Sequence, residues 1–108
     1  MKKIISIVVP VFNEEQNVLP MYEALMKAWK NISEYACEII FVDDGSADGT
    51  WSKISDVAKT SNFVTGIRFA RNFGHQSAIE AGLKRASGKA VITMDGDLQH
   101  PPELIPIS

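Results

Sequence analysis

Residues Asp95-Gly96-Asp97-Leu98-Gln99 end an apolar run in two carboxylates held two residues apart, with an amide oxygen two residues further on. In extended backbone, residues i and i+2 point to the same side, so Asp95 and Asp97 can share one target. Two carboxylates that close repel, so either one pKa rises or a cation sits between them. Two carboxylates with the Gln99 carbonyl two residues further on form an all-oxygen donor set, which suits Mg²⁺ or Mn²⁺. Such an ion leaves coordination positions open for phosphate oxygens. The expected chemistry is a metal-bridged diphosphate, with Asp95 and Asp97 catalytic and Asp95, Asp97 and Gln99 as metal ligands.

Three other polar clusters accompany it. Pro10-Val11-Phe12-Asn13-Glu14 follows an apolar run, and its Asn13 and Glu14 suit a helix start or contacts to a nucleotide base or ribose. Asp43-Asp44-Gly45-Ser46 ends a second apolar run, where acids are costly unless something uses them. At least one of Asp43 and Asp44 is expected to bind ligand. Gly45 permits a tight turn there, and Ser46 or Asp48 can cap the following helix. In Arg71-Asn72-Phe73-Gly74-His75, Arg71 suits a phosphate and Asn72 a ribose, while His75 reads more simply as a surface or cap residue.

The elements that must position these clusters follow from hydropathy. Strands are predicted over Ile4–Pro10, Cys37–Val42, Phe63–Phe69 and Ala90–Met94. Helices are predicted over about Glu15–Asn31, Gly49–Thr60 and His75–Ser87. Most of the strand runs are nearly continuously apolar, as when helices cover both faces of a sheet. Strict alternation gives an α/β fold, a three-layer parallel sheet with right-handed crossovers. Ligands bind beyond the carboxyl ends of such strands, and all four clusters fall there. Pro101-Pro102-Glu103 reads as the first turn of a fourth helix.

The 108 residues are enough for one domain, and 45% hydrophobic with 22% charged residues is ordinary globular composition. A net charge of −2 argues against a nucleic-acid partner. Cys37, the single cysteine, reads as a small core residue in a reducing compartment. The apolar run after Met1-Lys2-Lys3 is too short to span a membrane and lacks a cleavage site. A soluble, cytoplasmic protein is expected, with peripheral attachment at the cytoplasmic membrane left open.

Together the clusters resemble family 2 nucleotide-sugar glycosyltransferases of the GT-A fold. Val9-Pro10-Val11-Phe12-Asn13-Glu14, Val42-Asp43-Asp44-Gly45-Ser46 and Asp95-Gly96-Asp97 match broadly. Arg71-Asn72-Phe73-Gly74-His75 and the run from Met94 to Glu103 look like the polyprenyl-phosphate branch, the dolichyl-phosphate mannosyltransferases and bactoprenol glucosyltransferases. The resemblance implies a UDP- or GDP-linked donor, a lipid-phosphate acceptor and inverting transfer. Carried over by position, Pro10, Phe12, Glu14, Asp43 and Asp44 hold the nucleotide, with Asn13, Gly45, Ser46, Arg71, Asn72 and Gly74 also in the substrate site. Asp95 serves ribose or metal, and Asp97 and Gln99 ligate Mg²⁺ or Mn²⁺. Residues 1–108 then form the Rossmann-like, nucleotide-sugar-binding N-terminal half of a GT-A domain, truncated before the acceptor-binding part. The fourth strand would be an open apolar edge, from which a homodimer is expected. A non-catalytic nucleotide-sugar-binding module is the alternative. A phosphoaspartate receiver or haloacid-dehalogenase-type phosphatase places its acids on other strands.

Overall fold

The apolar runs become the central strands, because their side chains have helices to bury against on both sides. The computed structural model describes residues 3–30, 35–88, 90–94 and 103–106. β1 (Lys3–Val11) pairs in parallel with β2 (Tyr35–Asp43), and β2 with β3 (Val64–Arg68). β4 (Ala90–Thr93) joins the other side of β1, also in parallel. Three helices make the crossovers: α1 (Val18–Trp29), α2 (Thr50–Thr60) and α3 (His75–Arg85). The four predicted strands and three predicted helices are all present, with ends moved by at most three residues.

Alternation along the strands sorts side chains into two apolar layers. Ile7, Val9, Ile39 and Phe41 pack under α1 and α2 with Met21, Leu25, Ile54 and Val57. Val8, Ile40, Val42 and Val91 face α3 and its Ala78. α3 comes so close to β1 that a Cβ at Gly82 would strike the Val8 side chain. Cys37 is half-buried against the first layer, and burial, assisted by the neighbouring Glu38 charge, pushes its thiol up to about 12. That is a packing residue and a poor nucleophile.

One expectation is corrected at the end of the chain. Residues Glu103–Pro106 do not begin a helix; they form β5, antiparallel to β4, with Thr93 opposite Glu103 and Ala90 opposite Pro106. The sheet order is therefore β3-β2-β1-β4-β5. The free backbone edge of β4 outweighs the local preference of the prolines for a helical first turn. Pro106 has no N–H to give a ladder, which suits an outermost strand. β4 is thus covered within the chain, and the open edge invoked for a homodimer is absent at that strand.

At the opposite end of the sheet, Glu38 fastens the α3–β4 connection. Its Oε2 accepts from Ser6 Oγ (2.6 Å), Ser87 N–H (2.6 Å) and Ser87 Oγ (2.7 Å), and Gly88 N–H donates to Ser6 Oγ (2.9 Å). Burial works to raise the Glu38 pKa, but these hydrogen bonds and the Arg85 charge outweigh it and hold the group below its ordinary 4.5. A depressed carboxylate stabilises the fold above its unfolded pKa, and that stability is lost as pH falls through the folded value. Glu38→Gln should therefore lower the urea midpoint near pH 7, by about 1–2 kcal/mol in stability. The gap from the unsubstituted protein should close as pH falls below 4.5. An undiminished gap at acid pH would show that the charge is not what matters.

Candidate functional site

The carboxyl ends of β1, β2 and β3 share one edge, and the three loops leaving them are sewn together. Asn13, expected at a helix start, sits instead in the left-handed region (φ 53°). Its N–H donates to Ser46 Oγ (2.8 Å) and its Oδ1 accepts from Ala47 N–H (2.9 Å). Glu14 N–H donates to Thr50 Oγ1 (2.9 Å), and Thr50 is wholly buried. α1 consequently begins three residues later than predicted, at Val18, with Asn17 at its cap and no side-chain cap bond. Asn17 Nδ2 instead donates to Glu14 Oε2 (2.6 Å).

The capping role offered to Ser46 or Asp48 falls partly to Asp48. Its Oδ1 accepts from Thr50 N–H (2.9 Å) and is bonded by Thr50 Oγ1. Slight desolvation opposes these bonds, yet they keep the carboxyl below its ordinary 3.8.

The adjacent acids Asp43 and Asp44 point to opposite faces and have opposite situations. Asp44, 4% exposed, is saturated by the loop after β3. Its Oδ1 accepts from Phe73 N–H (2.8 Å) and Gly74 N–H (3.3 Å); its Oδ2 accepts from Gly74 N–H (3.1 Å) and Asn72 Nδ2 (3.1 Å). Asn72 also donates to the Asp44 carbonyl (3.3 Å). Asp43 is 0% exposed. Its Oδ1 accepts from Ser46 N–H (2.9 Å), while Oδ2 is the one buried side-chain polar atom without a hydrogen-bond partner among the described residues. A buried lone carboxylate oxygen is costly, and native folds seldom keep one without a use.

Gly45 makes the crossing of these loops possible. Its φ is +77°, and a Cβ there would collide with the Arg71 carbonyl carbon and the Asn72 nitrogen. The Arg71 guanidinium lies over the Phe73 ring (4.8 Å to the centroid), and Phe73 meets Phe69 edge-on (5.5 Å). Two clefts open on the edge. One, about 270 Å³, is lined by Pro10, Phe12, Asp44, Asn72, Gly74 and His75 among others. The other, about 310 Å³, is lined by Gly45, Ser46, Arg68, Phe69 and Ala70. Phe12 and Phe73 are large apolar side chains left about half exposed beside them (45% and 52%). Exposed aromatics at a cleft suit stacking on a flat ring.

The structure thus gathers Pro10, Phe12, Asn13, Glu14, Asp43, Asp44, Gly45, Ser46, Arg71, Asn72 and Gly74 at three neighbouring strand ends and the loops that leave them. Arg68, stacked over Trp51, lies at the same edge and went unnoticed as a site residue, since it reads in the sequence as one more strand residue. The expected metal ligands Asp95, Asp97 and Gln99 lie outside the described residues. Among the described residues no group of three or more His, Cys, Asp or Glu side chains could hold a metal ion. β4 ends on the same edge, with Met94 N–H donating to the Val8 carbonyl (3.0 Å).

Comparison with known proteins agrees with this layout. Residues 6–107 match the family described as glycosyl transferase family 2. The bactoprenol glucosyl transferase of Shigella phage SfV is 46% identical over 102 residues, covering 94% of this chain and 33% of that protein. The undecaprenyl-phosphate 4-deoxy-4-formamido-L-arabinose transferase of Proteus mirabilis is 44% identical over 103 residues, covering 94% of this chain and 31% of the relative. The chain spans about a third of the length of these curated relatives. Among solved structures, the mannosyltransferase PcManGT from Pyrobaculum calidifontis, in complex with GDP-Man and Mn²⁺, superimposes with a TM-score of 0.71 at 25% identity. It is matched over 90% of this chain and 28% of its own. S. aureus TarS 1-349 in complex with UDP-GlcNAc gives the same score and identity, over 90% of this chain and 27% of its own. With its α/β sheet and its polar edge of GT-A type, this chain belongs to glycosyl transferase family 2.

Proposed function

We propose that this chain is the donor-binding half of a metal-dependent, inverting glycosyltransferase that moves a sugar from a UDP- or GDP-linked donor to a polyprenyl phosphate. The observation that carries the reading is the buried, unpartnered Oδ2 of Asp43 beneath loops that hold the expected nucleotide contacts. An acceptor of this kind fits a ring N–H of a nucleobase. Phe12 supplies a face for the base to stack on. Asp44, Asn72 and Gly45 shape and hold the cradle. Arg71, steadied on Phe73, brings positive charge toward the phosphates.

The donor set of Asp95, Asp97 and the Gln99 amide oxygen suits Mg²⁺ or Mn²⁺. An ion held there would offset charge on the departing nucleoside diphosphate. An oxygen of the acceptor phosphate attacks the anomeric carbon from the side opposite the bond that breaks, which inverts that centre. The acceptor is already anionic, so aligning two anions matters more than removing a proton. The names of the relatives support a lipid-phosphate acceptor, and the solved structures with GDP-Man or UDP-GlcNAc support the donor class. No helix among the described residues is long and apolar enough to cross a membrane. A lipid-phosphate acceptor places the transfer at a membrane surface.

Calorimetry with UDP-glucose and GDP-mannose, with and without Mn²⁺, tests the reading alongside transfer of labelled sugar to undecaprenyl phosphate. Expected are Mn²⁺-strengthened binding of one donor and a lipid-linked product from the protein. Binding without product would favour the non-catalytic alternative. Absence of nucleotide-sugar binding would sink the proposal.

A further inference from the structure

β3 is the outer strand on the side of the sheet away from β5, and its far edge meets no strand among the described residues. In a parallel ladder, successive residues turn their backbone groups alternately to the two sides. Phe63 C=O accepts from Ile39 N–H (2.8 Å) and Phe69 N–H donates to the Asp43 carbonyl (2.9 Å), so the odd-numbered residues of β3 serve β2. The even-numbered ones face outward. Val64 N–H is taken up by the Ser61 carbonyl (3.1 Å), which leaves Val64 C=O and both backbone groups of Gly66 and Arg68 turned toward the free edge.

A groove runs along the same edge. Val64, Gly66 and Arg68 share the face under α2, where a Cβ at residue 66 would strike Ile54 and the Trp51 ring. With no side chain from Gly66, a space of about 280 Å³ remains between β3 and α2, lined by Trp51, Ile54, Ser55, Ala58, Lys59 and Gly66. Its walls are apolar except for Ser55 and Lys59. α2 ends at Thr60 and β3 starts at Val64, so Lys59 stands at the Val64 end and Arg68 at the other, both exposed. The Arg68 guanidinium lies over the Trp51 ring, 5.7 Å from its centroid, and a guanidinium so stacked keeps its rim N–H groups free to donate.

We propose that the free edge of β3 docks an extended segment of a partner protein, of the pattern acid-x-apolar-x-acid, as one more strand of the sheet. Backbone hydrogen bonds to Gly66 and Arg68 supply the pairing, and alternate side chains supply the selection. The central apolar side chain stands beside Gly66 and fills the groove under Trp51. Residues two places either side share its face and meet Val64 below Lys59 at one end and Arg68 at the other. Charge selects this occupant over a second copy of the chain. Two β3 strands paired about Gly66 would set glycine against glycine, leave both grooves empty and bring each Arg68 toward the other copy's Lys59. The cations that blunt the edge against its own kind admit an acidic strand.

The test is fluorescence anisotropy with a labelled, end-blocked peptide containing Glu-Thr-Leu-Thr-Glu. Expected is binding that weakens as salt is raised and falls about 10-fold when the peptide's leucine is replaced by glycine. The double variant Lys59→Glu, Arg68→Glu, checked for an unchanged melting temperature, should lose about 10-fold in affinity and prefer Lys-Thr-Leu-Thr-Lys. Amide exchange locates the strand: the Gly66 and Arg68 N–H groups should gain protection on peptide addition, while Thr65 and Ile67, already bonded to β2, change little. Absence of binding up to about 1 mM, affinity indifferent to the charge reversal, or protection elsewhere would each overturn the proposal. So would a dimer by light scattering with Gly66 protected before any peptide is added, since the edge would then belong to a second copy.

Discussion

Asp44→Ala should lower the stability of the protein by about 3 kcal/mol, whereas Asp43→Asn next to it should move stability by less than about 1 kcal/mol and abolish nucleotide binding. Removing the Asp44 carboxylate strands the N–H groups of Phe73 and Gly74 and the Asn72 amide, all within a little-exposed loop crossing. For a domain of this size the loss corresponds to a fall in melting temperature of more than about 10 °C. Asp43→Asn keeps an oxygen for Ser46 N–H and strands no protein group, since Oδ2 has no partner to lose, so the fold tolerates it. Its cost falls on the base, whose N–H then faces an amide in place of an anion. Thermal melts and nucleotide titrations on the two variants give the answer. Similar losses of stability in both would mean that Asp43 is a structural residue and that its unpartnered oxygen has no ligand to meet.

Gly45→Ala should be nearly as damaging, at about 2–4 kcal/mol, although it adds a single methyl group. The backbone at this position has φ +77°, and the new Cβ would run into the backbone of Arg71 and Asn72. Backbone cannot swing aside as a side chain can, so the β3–α3 loop has to move. That motion pulls Asn72, Phe73 and Gly74 from the Asp44 carboxylate, and the two losses arrive together. Circular dichroism melts would show the destabilisation. Hydrogen exchange at the Phe73 and Gly74 amides should accelerate more than at the Ile39 or Phe41 amides of β2. Equal acceleration everywhere would mean that the loop crossing is not the weak point.

The framework was legible because its physics is local and repetitive. Runs such as Ile39 to Val42, apolar on both faces, have few options besides a strand covered by helices. The three helices showed in the spacing of Val18, Leu25, Ile54, Val57 and Ala78. What escaped was decided by partners far away in sequence. Asn13 looked like a helix cap but is held in a left-handed turn by Ser46 and Ala47, more than thirty residues on. Pro101-Pro102-Glu103 looked like a helix start, and the neighbouring strand edge drew Glu103–Pro106 into the sheet. Period-two alternation places Asp43 and Asp44 on opposite faces, yet only the folded loops show which carboxylate is consumed and which is spare. Arg68 gains meaning only from the strand order, which puts β3 at the rim of the sheet. The pair Asp95 and Asp97 remains a proposal resting on residue type and spacing.

The sewing of one loop to the next bears on how such chains can be recombined. The turns at 12–17, 43–50 and 71–75 exchange hydrogen bonds in sequence-distant pairs: Asn13 with Ser46, Glu14 with Thr50, and Asp44 with Gly74. A chimera with its junction between residues 51 and 70 would keep the Asn13–Ser46 and Glu14–Thr50 stitches from one parent but divide Asp44 and Gly74 between the two. It should express poorly even where both parents are sound. Transplanting the three turns as one cassette, with the strands left in place, is the exchange that preserves them.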